Sequence, residues 1–263
     1  MKKILVPTDF SENAANAIEY AAQIGMALTY KLLLLHVADP GTDVQEREQK
    51  LRIICRALND SFPDLECNYR MVTGEDVPRE IVAASKLFNA EMIVMGTKGV
   101  TNFERMLFGS NTAAVIEKAS CTVLSVPGKK NFIKPKTILF ATNFEHEDVR
   151  AALQIVRLAK PFNANVVIAH VLTDSENEDV EKAKIQVFTR EVSVLSDYPR
   201  ISFRLSNENT VAMGLDMMIE RTGADVIAMR THKRSLFEKL INPSMTQKYA
   251  EESNIPLLAF HSD

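Results

Sequence analysis

Short apolar runs rich in Val, Ile and Leu alternate along the whole chain with longer stretches of helical spacing, the pattern of βαβ units around a parallel sheet. In the first half, the runs Lys3–Val6, Lys31–Val37, Glu66–Val72, Met92–Met95 and Thr122–Val126 predict five strands. Between Ser11 and Leu28, Ala14, Ala17, Ile18, Ala21, Ala22, Ile24 and Gly25 recur at helical spacing, with Ser11 as a plausible N-cap and small residues that allow close packing on a sheet. Val44–Leu58 reads as a charged amphipathic helix. Pro78–Phe88 reads as a helix that opens on proline, and Asn111–Ala119 as a fourth.

The second half repeats this order, with strands expected at Lys136–Phe140, Asn165–Val171, Ser202–Leu205, Val226–Met229 and Pro256–Phe260. The repeat has a fixed offset of 134 positions: Ile4-Leu5-Val6-Pro7-Thr8-Asp9-Phe10 returns as Ile138-Leu139-Phe140-Ala141-Thr142-Asn143-Phe144. His36-Val37 returns as His170-Val171, and Ala90–Met95 as Ala224–Met229. Two domains are therefore expected, 1–128 and 136–263, joined by a basic linker over 129–135.

Composition narrows the class. An apolar share of 46% with 25% charged residues is an ordinary soluble balance, and no window has the uninterrupted apolar length of a membrane helix, so a cytoplasmic protein without membrane partners is expected. A net charge of -3 gives no global attraction to nucleic acid, and none is expected as a partner. Cys55, Cys67 and Cys121 are odd in number, widely spaced and set in apolar patterns, which favours buried thiols over a disulfide framework or a zinc cluster.

In an open parallel sheet, ligands bind beyond the carboxyl ends of the strands, so the residues that follow each strand matter most. After Met92–Met95 come Gly96-Thr97-Lys98-Gly99, nine residues, then Gly109-Ser110-Asn111-Thr112 at the head of a helical pattern. Glycines let backbone N–H groups approach an anion, and a helix N-terminus adds unpaired donors and a favourable dipole. Such a loop suits phosphate, with Ser110 and Thr112 as hydroxyl donors and Lys98 as a point charge; two structural turns would use the same residues.

The Gly-x2-Gly-x9-Gly-Ser spacing, Asp9 after the first strand, His36-Val37 closing the second and Ser125-Val126-Pro127 closing the fifth together resemble the universal stress protein family, over essentially the whole chain as two tandem domains. The resemblance implies flavodoxin-like (Rossmann-like) α/β domains, each a five-stranded parallel sheet flanked by helices, paired through their last strands as an intrachain pseudo-dimer. In that family the spaced glycines mark the ATP-binding branch. The resemblance implies adenosine against Pro7, Thr8, Asp9 and Val37, ribose beside Met95 and Gly96, and phosphates held by Lys98, Gly99, Gly109, Ser110, Asn111 and Thr112, with Mg or Mn shared among them. It leaves a further homodimer open as a partner, and implies nothing about which residues ligate the metal or about a protein partner.

The second half departs where phosphate would sit: Gly96, Gly99 and Gly109 face Arg230, Lys233 and Pro243. Arg230, His232, Lys233 and Arg234 form a cationic cluster that reads either as a different anion site or, more simply, as part of a degenerate copy kept for folding. His36 and His170 read as packing residues at equivalent strand ends, and Glu145-His146-Glu147-Asp148 as a solvated acidic helix start. No triad or carboxylate pair stands near the glycine loop, so the expected function is an ATP-binding stress-response protein that uses nucleotide as a conformational signal. A slow ATPase, a phosphate-transferring enzyme and an adaptor with an empty loop are the alternatives.

Overall fold

The computed structural model describes residues 1–41, 43–97, 110–128, 132–173, 177–231 and 255–261, and the elements below are those of the described residues. They fall into two compact units, divided between Phe132 and Ile133.

The first unit contains β1 (Lys3–Pro7), α1 (Glu12–Leu28), β2 (Lys31–Ala38), α2 (Val44–Ser61), β3 (Cys67–Thr73), α3 (Val77–Leu87), β4 (Ala90–Gly96), α4 (Ser110–Lys118) and β5 (Thr122–Val126). Its strands are all parallel and lie in the order β3-β2-β1-β4-β5. The near-continuous apolar sequence of β2 (KLLLLHVA) is what a parallel strand covered on both faces requires. Ile4, Leu5, Val6, Leu34, Leu35 and Ile93 are fully buried at the centre of this core.

Capping chemistry sets the helix boundaries. The Ser11 hydroxyl accepts from the Ala14 amide at the start of α1, and Thr29 closes that helix in the left-handed region at φ 57°. Asp43 and Asp76 cap α2 and α3, the latter with Pro78 in its first turn. On α1, Ala14, Ala17, Ala21, Ala22 and Gly25 are buried, and their small size lets the helix lie close to the sheet.

The second unit repeats the plan with β6 (Thr137–Ala141), α5 (Asp148–Ala159), a 3₁₀ turn (Lys160–Phe162), β7 (Asn165–Leu172), α6 (Glu178–Leu195), β8 (Ile201–Asn207), α7 (Val211–Thr222), β9 (Val226–Thr231) and β10 (Leu257–His261). Its strands are parallel in the matching order β8-β7-β6-β9-β10. This is the Rossmann-like strand order. The direction of winding reverses between β1 and β4, and again between β6 and β9, so each unit opens a crevice beyond the carboxyl ends of those two strands. No described helix is long and apolar enough to cross a membrane.

Close packing of α7 on β7 depends on Gly214, where an added Cβ would lie 2.6 Å from Val171 Cγ2 and 3.1 Å from its Cβ. Valine is stiff at χ1 and Val171 is buried, so the contact cannot relax by a rotamer change. Overpacking of this kind costs about 1–3 kcal/mol, against a gain of at most ~1 kcal/mol in helix propensity. Gly214→Ala should therefore lower the melting midpoint; an unchanged or raised midpoint would show that α7 can shift freely on the sheet.

Candidate functional site

At the crevice of the first unit, the chain leaves β1 through a turn held by its own side chains. The Thr8 amide donates to the Leu35 carbonyl, and the Thr8 hydroxyl oxygen accepts from the Phe10 amide at 3.1 Å. Phe10 takes a left-handed conformation, φ 65°, which brings Asp9 to the surface. Asp9 Oδ1 then accepts from the amide of Ser11 at 3.0 Å and from its hydroxyl at 2.5 Å, an Asx turn that leads directly into α1.

His36, at the end of β2, fixes the same turn from behind. Its Nδ1 lies 2.8 Å from the Thr8 carbonyl oxygen, and because a carbonyl only accepts, Nδ1 carries the proton. The Phe10 and His36 ring centroids are 4.6 Å apart. Arg47 Cζ and Lys50 Nζ of α2 lie 5.7 Å and 5.8 Å from the Phe10 ring centroid, within cation–π range. Sequence reading missed these two cations, although their three-residue spacing on an amphipathic helix is a usable signal.

The other wall is the end of β4. An added Cβ at Gly96 would stand 2.6 Å from the Asn13 carbonyl carbon and 3.2 Å from the Ala14 amide nitrogen, both backbone atoms of the α1 N-terminus. Glycine is therefore required for β4 to pass α1 at this distance. Thr97 continues from β4 by donating its amide to the Val126 carbonyl at 2.9 Å. Thr112, buried in the first turn of α4, donates its hydroxyl to the Gly96 carbonyl at 3.3 Å, so its hydrogen is directed at the strand end.

The structure thus brings Pro7, Thr8, Asp9, Met95, Gly96, Asn111 and Thr112 to strand ends or to the helix start beside this crevice, with Val37 at the end of the neighbouring strand. Met95 and Thr8 are buried, Pro7, Val37 and Gly96 are half-buried, and Asp9 and Asn111 are exposed. Ser110 begins α4. Lys98, Gly99 and Gly109 lie outside the described residues. Among the described residues, no group of three or more His, Cys, Asp and Glu is arranged to hold a metal ion.

The second unit reproduces the scaffold but carries different groups at the strand end. Thr142 donates its amide to the Ala169 carbonyl, accepts from the Phe144 amide, and has its carbonyl held by His170 Nδ1 at 2.8 Å, as Thr8 does with Leu35, Phe10 and His36. Phe144 also takes the left-handed conformation, φ 57°. Even the neighbouring threonine is matched, with the Thr231 hydroxyl donating to the Phe260 carbonyl at 2.9 Å.

Where Gly96 stands in the first unit, however, the second has Arg230, a buried side chain whose Nε donates to Asp148 and whose Nη2 donates to Glu145. Asp148 occupies the position of Ala14 and Glu145 that of Ser11. The Asp148 carboxylate is itself held at 2.6 Å by the Thr142 hydroxyl and at 3.2 Å by the Glu145 amide. The expectation of a solvated acidic helix start is corrected for Asp148, which is only 1% exposed because Arg230 draws it inward. His146 does remain exposed, 3.3 Å from Glu191. Arg230 is neutralised by two carboxylates and is not available as part of a cationic anion site; His232, Lys233 and Arg234 lie outside the described residues.

A second charge exchange lies behind the turn. Glu181 of α6 stands where α2 has Arg47, is buried, and lies 3.7 Å from His170 Nε2. Lys184 donates to its other oxygen at 2.6 Å.

Comparison with known proteins agrees with this duplicated plan. The sequence model of the Universal stress protein family matches residues 1–127 and again residues 134–261. Universal stress protein MJ0577 of Methanocaldococcus jannaschii is 30% identical over 163 residues, which is 49% of this chain and 97% of that protein. Universal stress protein MJ0531 of the same organism is 32% identical over 142 residues, 49% of this chain and 84% of that protein. The crystal structure of a universal stress protein from Archaeoglobus fulgidus DSM 4304 superposes with a TM-score of 0.76 at 19% identity, covering 98% of each chain, and shows the fold in its two-domain form.

Removing one member of a buried ion cluster leaves an uncompensated charge, which typically costs about 3–5 kcal/mol. Asp148→Ala should destabilise the second unit by that order in denaturant unfolding. The double variant Asp148→Ala with Arg230→Met should recover much of the loss; strictly additive effects would show that Arg230 does not depend on Asp148 for its burial.

Proposed function

Because the chain belongs to the universal stress protein family through both of its halves, we propose that it binds one ATP, in the first unit only, and that occupancy acts as a conformational signal. The observation that carries this reading is the exchange at one position: Gly96 ends β4 without a side chain, packed against the backbone of the α1 N-terminus, whereas the equivalent Arg230 places there a buried guanidinium held by Asp148 and Glu145. In this reading the strand end at Gly96 faces the ribose without a side chain, and main-chain N–H groups of the loop and helix that follow would approach the phosphates.

Each part of the ligand then has its own set of residues. Pro7, Thr8 and Asp9 would face adenosine, with Val37 beside the base and Met95 and Gly96 along the ribose. Lys98, Gly99, Gly109, Ser110 and Asn111 would surround the phosphates, together with the backbone amide of Thr112. The Thr112 hydroxyl hydrogen goes to the Gly96 carbonyl and not, as the sequence suggested, to phosphate. Helix-start amides of this kind have no intrahelical partner and favour negative charge. A bound Mg or Mn ion would neutralise phosphate charge, and it would be held chiefly by phosphate oxygens, the usual arrangement for a cation with few protein ligands. Arg47, over Phe10, adds positive charge beside the same turn, whereas Lys50 is paired with Glu46 at 2.6 Å.

The same geometry argues against rapid chemistry. Asp9, the carboxylate at this rim, accepts two hydrogen bonds from Ser11 and serves the turn. Phosphoryl transfer needs an oriented nucleophile as well as positioned charge, so turnover with Mg or Mn should fall well below the roughly 1–100 s⁻¹ of kinases. Steady-state rates in that range would favour a phosphate-transferring enzyme instead.

Calorimetric titration of the full chain with ATP should fit one site. A stoichiometry near two would remove the assigned asymmetry, and the absence of binding would leave the adaptor reading. Gly109→Val should weaken affinity by at least about tenfold, or ~1.4 kcal/mol, with the circular dichroism spectrum preserved. Unchanged affinity would mean that this glycine serves a turn and not the phosphates.

A further inference from the structure

We propose that Cys55 and Cys67 form a reversible dithiol–disulfide pair that locks α2 to β3 when the protein meets a peroxide or a small-molecule disulfide. The two sulfurs are 2.8 Å apart, although the residues are separated by 12 positions in sequence and lie on different elements. This proposal does not depend on the nucleotide reading.

The pair sits in a fixed frame. Cys55 belongs to the buried stripe of α2, which consists of Leu51, Cys55 and Leu58. Cys67 opens β3, the terminal strand of this unit's order on that side, and is aligned with Leu32 of β2. Asn59, one helical turn beyond Cys55, accepts from the Cys67 amide at 3.0 Å and ties the start of β3 to the same face of α2. The connection between them is tight, with the Leu65 amide donating to the Phe62 carbonyl at 2.9 Å. Closing the gap to a bond of ~2.0 Å needs side-chain rotation within this frame and no rearrangement of the sheet.

The two thiols are not equivalent. The hydrogen bond from the Cys67 thiol holds Cys55 below the usual thiol range, and the same contact together with burial pushes Cys67 up. The lower thiol pKa favours Cys55 as the attacking sulfur with Cys67 resolving, and the same bridge forms in either order. Cys121 precedes β5, at the other end of this unit's strand order with β2, β1 and β4 between, and burial raises its thiol pKa. It is placed to take no part.

With hydrogen peroxide the chemistry balances as follows. The Cys55 thiolate attacks one peroxide oxygen, an S–O bond forms, the O–O bond breaks, and the departing hydroxide becomes water with the proton that Cys55 released. Cys67 then gives up its proton and attacks the Cys55 sulfur; the S–S bond forms, the S–O bond breaks, and a second water leaves. Two electrons pass from the sulfurs to the peroxide oxygens. Both sulfurs are buried, so the oxidant enters when α2 opens locally, which its short buried stripe makes accessible.

The test is mild peroxide treatment of the reduced, folded full chain, followed by thiol titration under denaturing conditions and mass spectrometry. The three thiols should fall to one, and trypsin should release Ile53–Arg56 joined to Ala57–Arg70, lighter by two hydrogens and separated by dithiothreitol. Cys121→Ser should keep this cross-link, and Cys55→Ser should abolish it while leaving Cys67 reduced. Three thiols that survive oxidation, a bridge that includes Cys121 or a second molecule, or irreversible over-oxidation of Cys55 without a bridge would each overturn the proposal. The wild-type peptide readout decides the matter even where a cysteine variant fails to fold.

Discussion

The close passage of the fourth strand beneath the N-terminus of the first helix decides which residue each unit can place at that strand end. In the first unit, backbone meets backbone there, and the Asn13 carbonyl and Ala14 amide leave no volume for a side chain at Gly96. In the second unit the same place holds Arg230, and the helix start has changed with it: Asp148 replaces Ala14 and Glu145 replaces Ser11. A buried guanidinium is tolerable only with compensating carboxylates, so the three substitutions form one physical change.

Around that variable point the scaffold is held constant. Each unit uses a histidine Nδ1–H to hold the carbonyl of the threonine after its first strand, and the amide of a left-handed phenylalanine to engage that threonine's hydroxyl. A left-handed non-glycine residue is strained by itself and persists where neighbouring contacts over-determine it. Here those contacts occur in both copies. The turn after the first strand is therefore a shared structural device, which explains why it is kept in both units.

The helix that follows the second strand carries a further difference. Arg47 and Lys50 of α2 lie over Phe10, Lys50 also paired with Glu46, whereas Glu181 of α6 is buried beside His170 and takes Lys184 as a partner. The first unit sets cations over an aromatic ring, and the second turns an acidic group inward. Together with the Arg230 cluster, this gives two similar frames with different electrostatic interiors.

Local pattern was enough to read the repeat, the order of strands and helices, the Ser11 cap and the exchange of Gly96 for Arg230, because each is expressed in consecutive residues or in a fixed periodicity. What Arg230 binds was not legible, since its partners lie 82 and 85 positions away and meet it only when β9 is laid beside β6. Asp148 looked like a surface acid for the same reason: its burial is set by a charge from another element. The proximity of Cys55 and Cys67 likewise arises only from packing α2 on β3, and the direction of the Thr112 hydroxyl from the strand end it happens to face. Sequence determines what each segment prefers to be; which distant groups share a low-dielectric interior, and so which charges must pair, is decided by the tertiary fold.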